Sequence, residues 1–206
     1  LCLRMRIYQL FPEPLYVSKL ERAFTKAELK LTDEYKKKTH KSIGNTTTSD
    51  HYVLEHKTFK TLKQELNKMI LDYFDKVVCT SNSITPYITQ SWLNYTEPNQ
   101  FHHHHNHNNS YVSGILYINA DKAVDQVRFY KTAHHPIDLK AATPNIFNSK
   151  FSWHVVETGN VILFPSQLEH SVERKKGTNT RISLSFNVFL KGTIGNPANL
   201  TELVLK

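Results

Sequence analysis

Five histidines fall within six residues, His102, His103, His104, His105 and His107, and imidazole is the commonest metal-binding side chain of proteins. In extended backbone, residues two apart share a face, so His105 and His107 are spaced to grip one ion. The run is internal, interrupted by Asn106 and followed by strand-forming residues, which sets it apart from an expression tag. Taken alone, these residues also allow a solvated loop that captures metal by accident.

A second segment lies further on, in GNVILFPSQLEHSVERKKGTNTRISLSFNVFL. Val161 to Phe164 is a short apolar run suited to a buried strand, Pro165 ends it, and His170 follows a polar connection. Arg181 to Val188 then alternates strictly. Ile182, Leu184, Phe186 and Val188 share one face and belong to a core. Arg181, Ser183, Ser185 and Asn187 share the other, where a cation in line with hydroxyls could hold a small carboxylate inside a sheet. By itself, Arg181 reads more simply as a solvated charge on an outer face.

Taken in order, HNHNNSYVSGILYIN, GNVILFPSQLEHSV and RISLSFN closely resemble the signature blocks of a family of Fe(II)- and 2-oxoglutarate-dependent oxygenases found in bacteria and marine phages. Tyr8 to Pro12 is similar to the family's opening LFP-type strand, and Trp92 with Asn94 to an SWxN element before the histidines. The resemblance implies that His105, His107 and His170 hold Fe(II). It implies that Arg181, with Ser183 beside it, pairs with the far carboxylate of 2-oxoglutarate, and that Asn109, Ser110 and Ser113 lie next to the cofactor pocket. The implied activity is a hydroxylase that consumes O₂ and 2-oxoglutarate and releases succinate and CO₂, acting on an unidentified substrate. For Trp92 itself, core packing is the expectation.

One departure bears on the chemistry. The wider superfamily presents HxD or HxE, and His107 stands in the place of the acid, which would leave the site one positive charge richer. Asp121 and Asp125, just past the strand, are the alternative carboxylates, although neither has the two-residue relation to His105. Two other readings stay open at this point. One is a three-histidine cupin-like dioxygenase or isomerase that ignores 2-oxoglutarate, and the other is a non-enzymatic jelly-roll binding or structural module.

The elements that must position these residues are mostly strands. Arg6 to Pro14 reads as an edge strand, Leu15 to His40 as lysine-rich with helical periodicity, and Ser42 to Asp50 as a loop. Phe59, Leu62, Leu66, Met69, Ile70, Tyr73, Phe74 and Val77 follow three- and four-residue spacing, the mark of an amphipathic helix packed outside a sheet. Strands are expected over Ile84 to Tyr95, Asp125 to Tyr130 and Phe151 to Glu157, and at a terminal edge, Glu202 to Leu205. Ala133 to Phe147 reads as a proline-broken excursion, and His134, His135 and His154 as spare histidines.

The expected fold is mainly β with flanking helices around a double-stranded β-helix, or jelly roll, core. One domain spans 1–206, in which about 1–80 supply an N-terminal strand and helices and about 83–206 form the core.

Length and composition agree with a single globular domain. The chain has 206 residues, 39% hydrophobic, and no run near the ~20 apolar residues of a membrane span. No charged-then-apolar leader is evident. Cys2 and Cys79 are too few for a disulfide scaffold, so a reducing cytoplasmic setting is expected, in a bacterium or in the infected host of a phage. The net charge of +8 admits an anionic partner such as nucleic acid, but no nucleic-acid-binding motif accompanies it. Much of the excess sits at Lys36, Lys37, Lys38 and Lys41 and at Arg174, Lys175 and Lys176, read as an exposed helix and a hairpin tip.

Overall fold

In the computed structural model, residues 6–132, 137 and 139–206 are described. Their elements run β1 (Tyr16–Lys19), α1 (Lys26–Lys36), β2 (Thr39–Lys41), β3 (Thr46–Thr48), α2 (Lys60–Tyr73), β4 (Ile84–Thr96), β5 (His102–His105), β6 (Val112–Asn119), β7 (Gln126–Tyr130), β8 (Phe151–Val155), β9 (Asn160–Pro165), β10 (His170–Val172), β11 (Arg181–Ile194) and β12 (Leu203–Leu205).

Two antiparallel sheets result. The larger is ordered β1-β9-β6-β11-β4-β3-β2, with β12 added to β11, and the smaller is ordered β5-β10-β7-β8. The mainly β double-stranded β-helix expected from the sequence is therefore present, with both helices on one side of the larger sheet.

Side-chain alternation divides the larger sheet into two working faces. Toward the helices it presents Leu93 and Tyr95 from β4, Leu116 from β6, Val161 and Leu163 from β9, and Leu184, Phe186 and Val188 from β11, all at most 1% exposed. They join Leu62, Leu66 and Ile70 of α2 in one core, each such side chain contributing roughly 1.5–3 kcal/mol. Gly114 of β6 faces the same way, and a Cβ there would fall on the Phe186 ring. The opposite face turns toward the smaller sheet. At one end Ile162, Phe164, Tyr117, Val127, Phe129 and Leu168 close a second core, and at the other the polar face of β11 is left to line a lumen.

The helix starts have local causes. Thr25 and Glu28 form a capping box at α1, satisfying two N–H groups that the helix cannot. Glu28 also accepts from Arg22 at 2.7 and 2.8 Å, and Arg22 donates to Glu65 of α2 at 2.9 Å. The three side chains fasten the connection after β1 to both helices.

Three expectations are corrected. Arg6 to Pro14, including Tyr8 to Pro12, forms no strand, and Ile7, Tyr8, Leu10 and Phe11 are exposed. Pro12 and Pro14 lack donors, and the β9 edge is paired with Tyr16–Lys19 instead. Ser42 to Asp50 is more than a loop: Gly44, at φ 94°, turns a hairpin in which Thr39 pairs with Thr48, and β3 continues onto β4. Three consecutive β-branched threonines suit that pleated surface.

Lys175 is no exposed tip residue. It is 5% exposed and donates to Asp125 at 2.9 Å and to Asn179 at 3.0 Å, because a buried ammonium persists only when paired. His134 and His135 lie outside the described residues, as does part of the Ala133 to Phe147 excursion.

Candidate metal and cosubstrate site

The larger sheet places the polar face of β11 beside β4 and β6, with Ser183 opposite Asn94, Ser185 opposite Trp92 and Asn187 opposite Gln90. Across the lumen, β10 pairs with β5 so that His170 lies opposite His105. Between the sheets is a cavity of about 290 Å³ whose wall includes His105, His107, His170, Arg181, Ser183 and Asn187.

His105, His107 and His170 converge, each offering a ring nitrogen within 4.8 Å of the others. What makes the cluster fit a metal is the state of the opposite nitrogens. Nδ1 of His105 lies 2.8 Å from the His103 carbonyl, Nδ1 of His170 lies 3.1 Å from the Leu168 carbonyl, and Nδ1 of His107 lies 2.6 Å from Oδ1 of Asn187. An oxygen of this kind only accepts, so every Nδ1 carries the proton and donates it. Each Nε2 is thereby left with a bare lone pair, the tautomer that outer partners impose on metal-binding histidines.

Burial works in the same direction. It pushes His105 down to about 4, His107 below its ordinary value against the opposing Asn187 contact, and His170 well below. All three are neutral near pH 7 and ready to donate to a cation.

Arg181 is the second fixture. It is 2% exposed, and its Nε and Nη1 are buried with no hydrogen-bond partner, while Nη2 reaches only Thr96 Oγ1 at 3.4 Å. Burial lowers its pKa, with Tyr117 and Asp125 acting in opposition. A buried guanidinium with orphaned donors costs several kcal/mol unless something anionic meets it. The cavity into which it opens is where a carboxylate would do so.

The remaining expected residues divide. Ser183 lines the cavity, but Asn109, Ser110 and Ser113 do not. Asn109 turns the chain at φ 53°, and Ser110 and Ser113 bond to the Ser166 hydroxyl at 2.8 and 2.9 Å. Because the His107 amide donates to the Ser166 carbonyl at 3.0 Å, this serine cluster fixes the connection on which His107 stands.

Neither alternative carboxylate joins the histidines. Asp125 is spent on Lys175, and Asp121 accepts from the Ala123 amide in the turn after β6. His154 is on β8, away from the cluster.

Three residues of the site were not assigned from the sequence. Trp92 lines the cavity and stacks on His107 with ring centroids 5.6 Å apart, so it is not simply core packing. Asn187 orients His107. His102 faces inward beside His105, with centroids 4.7 Å apart. For Trp92 the signal was alternation along β4, and for Asn187 alternation along β11. For His102 there was none, since a shift of register between β5 and β10 breaks the parity that would turn it outward.

A double-stranded β-helix whose lumen gathers three neutral imidazoles and one unpaired buried guanidinium has the make-up of a 2-oxoglutarate-dependent Fe(II) oxygenase. Residues 90–187 match the family model described as "Putative 2OG-Fe(II) oxygenase", and this segment carries all four of those residues.

Solved structures share the fold at low identity. An oxidoreductase of the 2OG-Fe(II) oxygenase family from Burkholderia pseudomallei is 13% identical, covering 84% of this chain and 83% of its own at a TM-score of 0.56. HygX from Streptomyces hygroscopicus, with nickel, 2-oxoglutarate and hygromycin B bound, is 14% identical over 85% and 82% at 0.55. A prolyl-4-hydroxylase from Pseudomonas putida is 15% identical over 85% and 92% at 0.54. No curated protein matches the chain by sequence.

Proposed function

We propose that the protein is an Fe(II)- and 2-oxoglutarate-dependent hydroxylase in which His105, His107 and His170 hold the metal through Nε2, and Arg181, with Ser183 beside it, receives the distal carboxylate of the cosubstrate. The observation that carries this reading is the buried Arg181 with two donor atoms unmet, in the same cavity as the histidine cluster. A dioxygenase that bound an uncharged substrate directly to the metal would have no use for it. HygX, with the same fold, binds nickel and 2-oxoglutarate, which supports the assignment.

Held there, Fe(II) and 2-oxoglutarate would supply the hydroxylation chemistry, the reduction of O₂ coupled to conversion of 2-oxoglutarate to succinate and CO₂ and insertion of the other oxygen atom into a substrate C–H bond. The chain's own residues bind, orient and exclude water. Asn187 and the carbonyls of His103 and Leu168 hold the three rings in the coordinating tautomer. Phe129 and Phe164 pack against the His170 ring at 6.1 and 4.9 Å, sealing that side from water. Trp92 backs His107, and Arg181 neutralises one end of a dianion in a low-dielectric wall. Because all three metal-facing groups are neutral, the filled site carries one more positive charge than a two-histidine, one-carboxylate site would.

Anaerobic addition of Fe(II) and 2-oxoglutarate should give a weak visible charge-transfer band, and admission of O₂ should yield succinate. A colourless complex and no succinate with any candidate substrate would overturn the reading.

A further inference from the structure

The histidine run contains a second constellation. His102, His103 and His105 each bring a ring nitrogen within 4.8 Å of the other two, and their ring centroids lie 5.2, 4.7 and 4.7 Å apart. Regular alternation would set His102 and His105 on opposite faces. The register shift opposite β10, where His105 pairs with His170 but His102 pairs with Val172, puts three residues against two and turns both rings inward. Nδ1 of His103 is buried with no partner, a lone pair or proton left unmet at real cost. His102 forms part of the cavity wall.

We infer that His102, His103 and His105 form a second site for a divalent transition-metal ion, overlapping the first through His105. The two sites exclude each other. Nδ1 of His105 is committed to the His103 carbonyl at 2.8 Å, so the ring has one nitrogen, Nε2, to give. An ion on the outer triad takes it and leaves His107 and His170 as an incomplete pair. Three imidazoles suit zinc, copper and nickel, all of which bind nitrogen ligands more tightly than Fe(II). The outer site is therefore a parking position for the wrong metal, next to the right one. The outer site stands on these three residues alone, and the proposed function supplies only the meaning of its competition with iron.

The test is Zn(II) titration against a chromophoric chelator, with no iron and no 2-oxoglutarate, on the full chain and three variants. His170→Ala breaks the inner triad alone, His103→Ala breaks the outer alone, and the double variant breaks both. Wild type and each single variant should bind one Zn(II) per chain. The double variant should be weaker than His170→Ala by at least about tenfold, the scale on which even the partners of metal ligands act.

Equal, weak binding by His170→Ala and the double variant would overturn the outer site, and two tight ions on wild type would overturn the sharing of His105. His107→Ala replaces His170→Ala if loss of the buried ring unfolds the chain, as judged by circular dichroism. Failure of the oxygenase reading is scored separately, by the charge-transfer band of the wild type.

Discussion

At the residue scale, the site is defined by atoms whose partners are missing and by atoms whose partners are fixed. Arg181 is the clearest of the former. Arg181→Met should leave metal binding intact and weaken 2-oxoglutarate by roughly 2–5 kcal/mol, the range for truncating one partner of a buried charge pair, as calorimetric titration would show. It should also raise the melting temperature of the ligand-free protein, because an uncompensated buried cation is removed.

His107→Asp is the complementary change. The new carboxylate should retain or tighten Fe(II) binding if this position faces the metal, and Fe(II) affinity unchanged by both His107→Asp and His107→Ala would remove it from the ligand set. His105 could be picked out from its two-residue spacing to His107, whereas His170 and Arg181 were assigned by the family resemblance, since Arg181 by itself read as a solvated charge on an alternating strand. His102 could not, since its direction depends on a bulge. Asn109, Ser110 and Ser113, expected next to the pocket, do not line it, because a motif records proximity along the chain without recording which way a hydroxyl points.

At the element scale, the network joining α1 to α2 turns on Glu28. Burial alone would raise its pKa, but hydrogen bonds from Arg22 and from the Thr25 amide outweigh it and the net shift is downward. A folded-state value below the ordinary glutamate value of about 4.3 means that its stabilisation is present above that pH and is lost as pH falls through the folded value. Glu28→Gln should therefore cost about 1–3 kcal/mol near neutrality, and the gap from wild type should close in urea titrations below about pH 4.3.

The amphipathic helix and the strands of the core were legible because their periods are 3.6 and 2. The hairpin β2–β3 was hidden in a polar, threonine-rich segment whose pairing with β4 is a long-range fact. Pro12 and Pro14 were read as fitting an edge strand, yet the strand begins beyond them, where the β9 edge supplies partners.

At the scale of the whole molecule, the segment matching the oxygenase family spans residues 90–187, while the fold draws on residues well outside it. β1 completes one edge of the larger sheet, and α2 covers Leu93, Leu116, Leu184 and Phe186, all at 0% exposure. Uncovering these four alone would forfeit roughly 6–12 kcal/mol at 1.5–3 each, comparable to the entire stability of a typical domain. A fragment of residues 83–206 should accordingly aggregate or melt without a cooperative transition, and a sharp thermal transition would show two separable units. Among the described residues, no helix is long and apolar enough to cross a membrane.

His105 and His170 stand on paired strands of the smaller sheet, whereas His107 leans on Asn187 of the larger. A cation gripped by all three is thus a rivet through the mouth of the sandwich. β5, an edge strand with a single neighbour in β10, is the part that would fray first without it, so amide hydrogen exchange across residues 102–107 should slow sharply when the ion is in place.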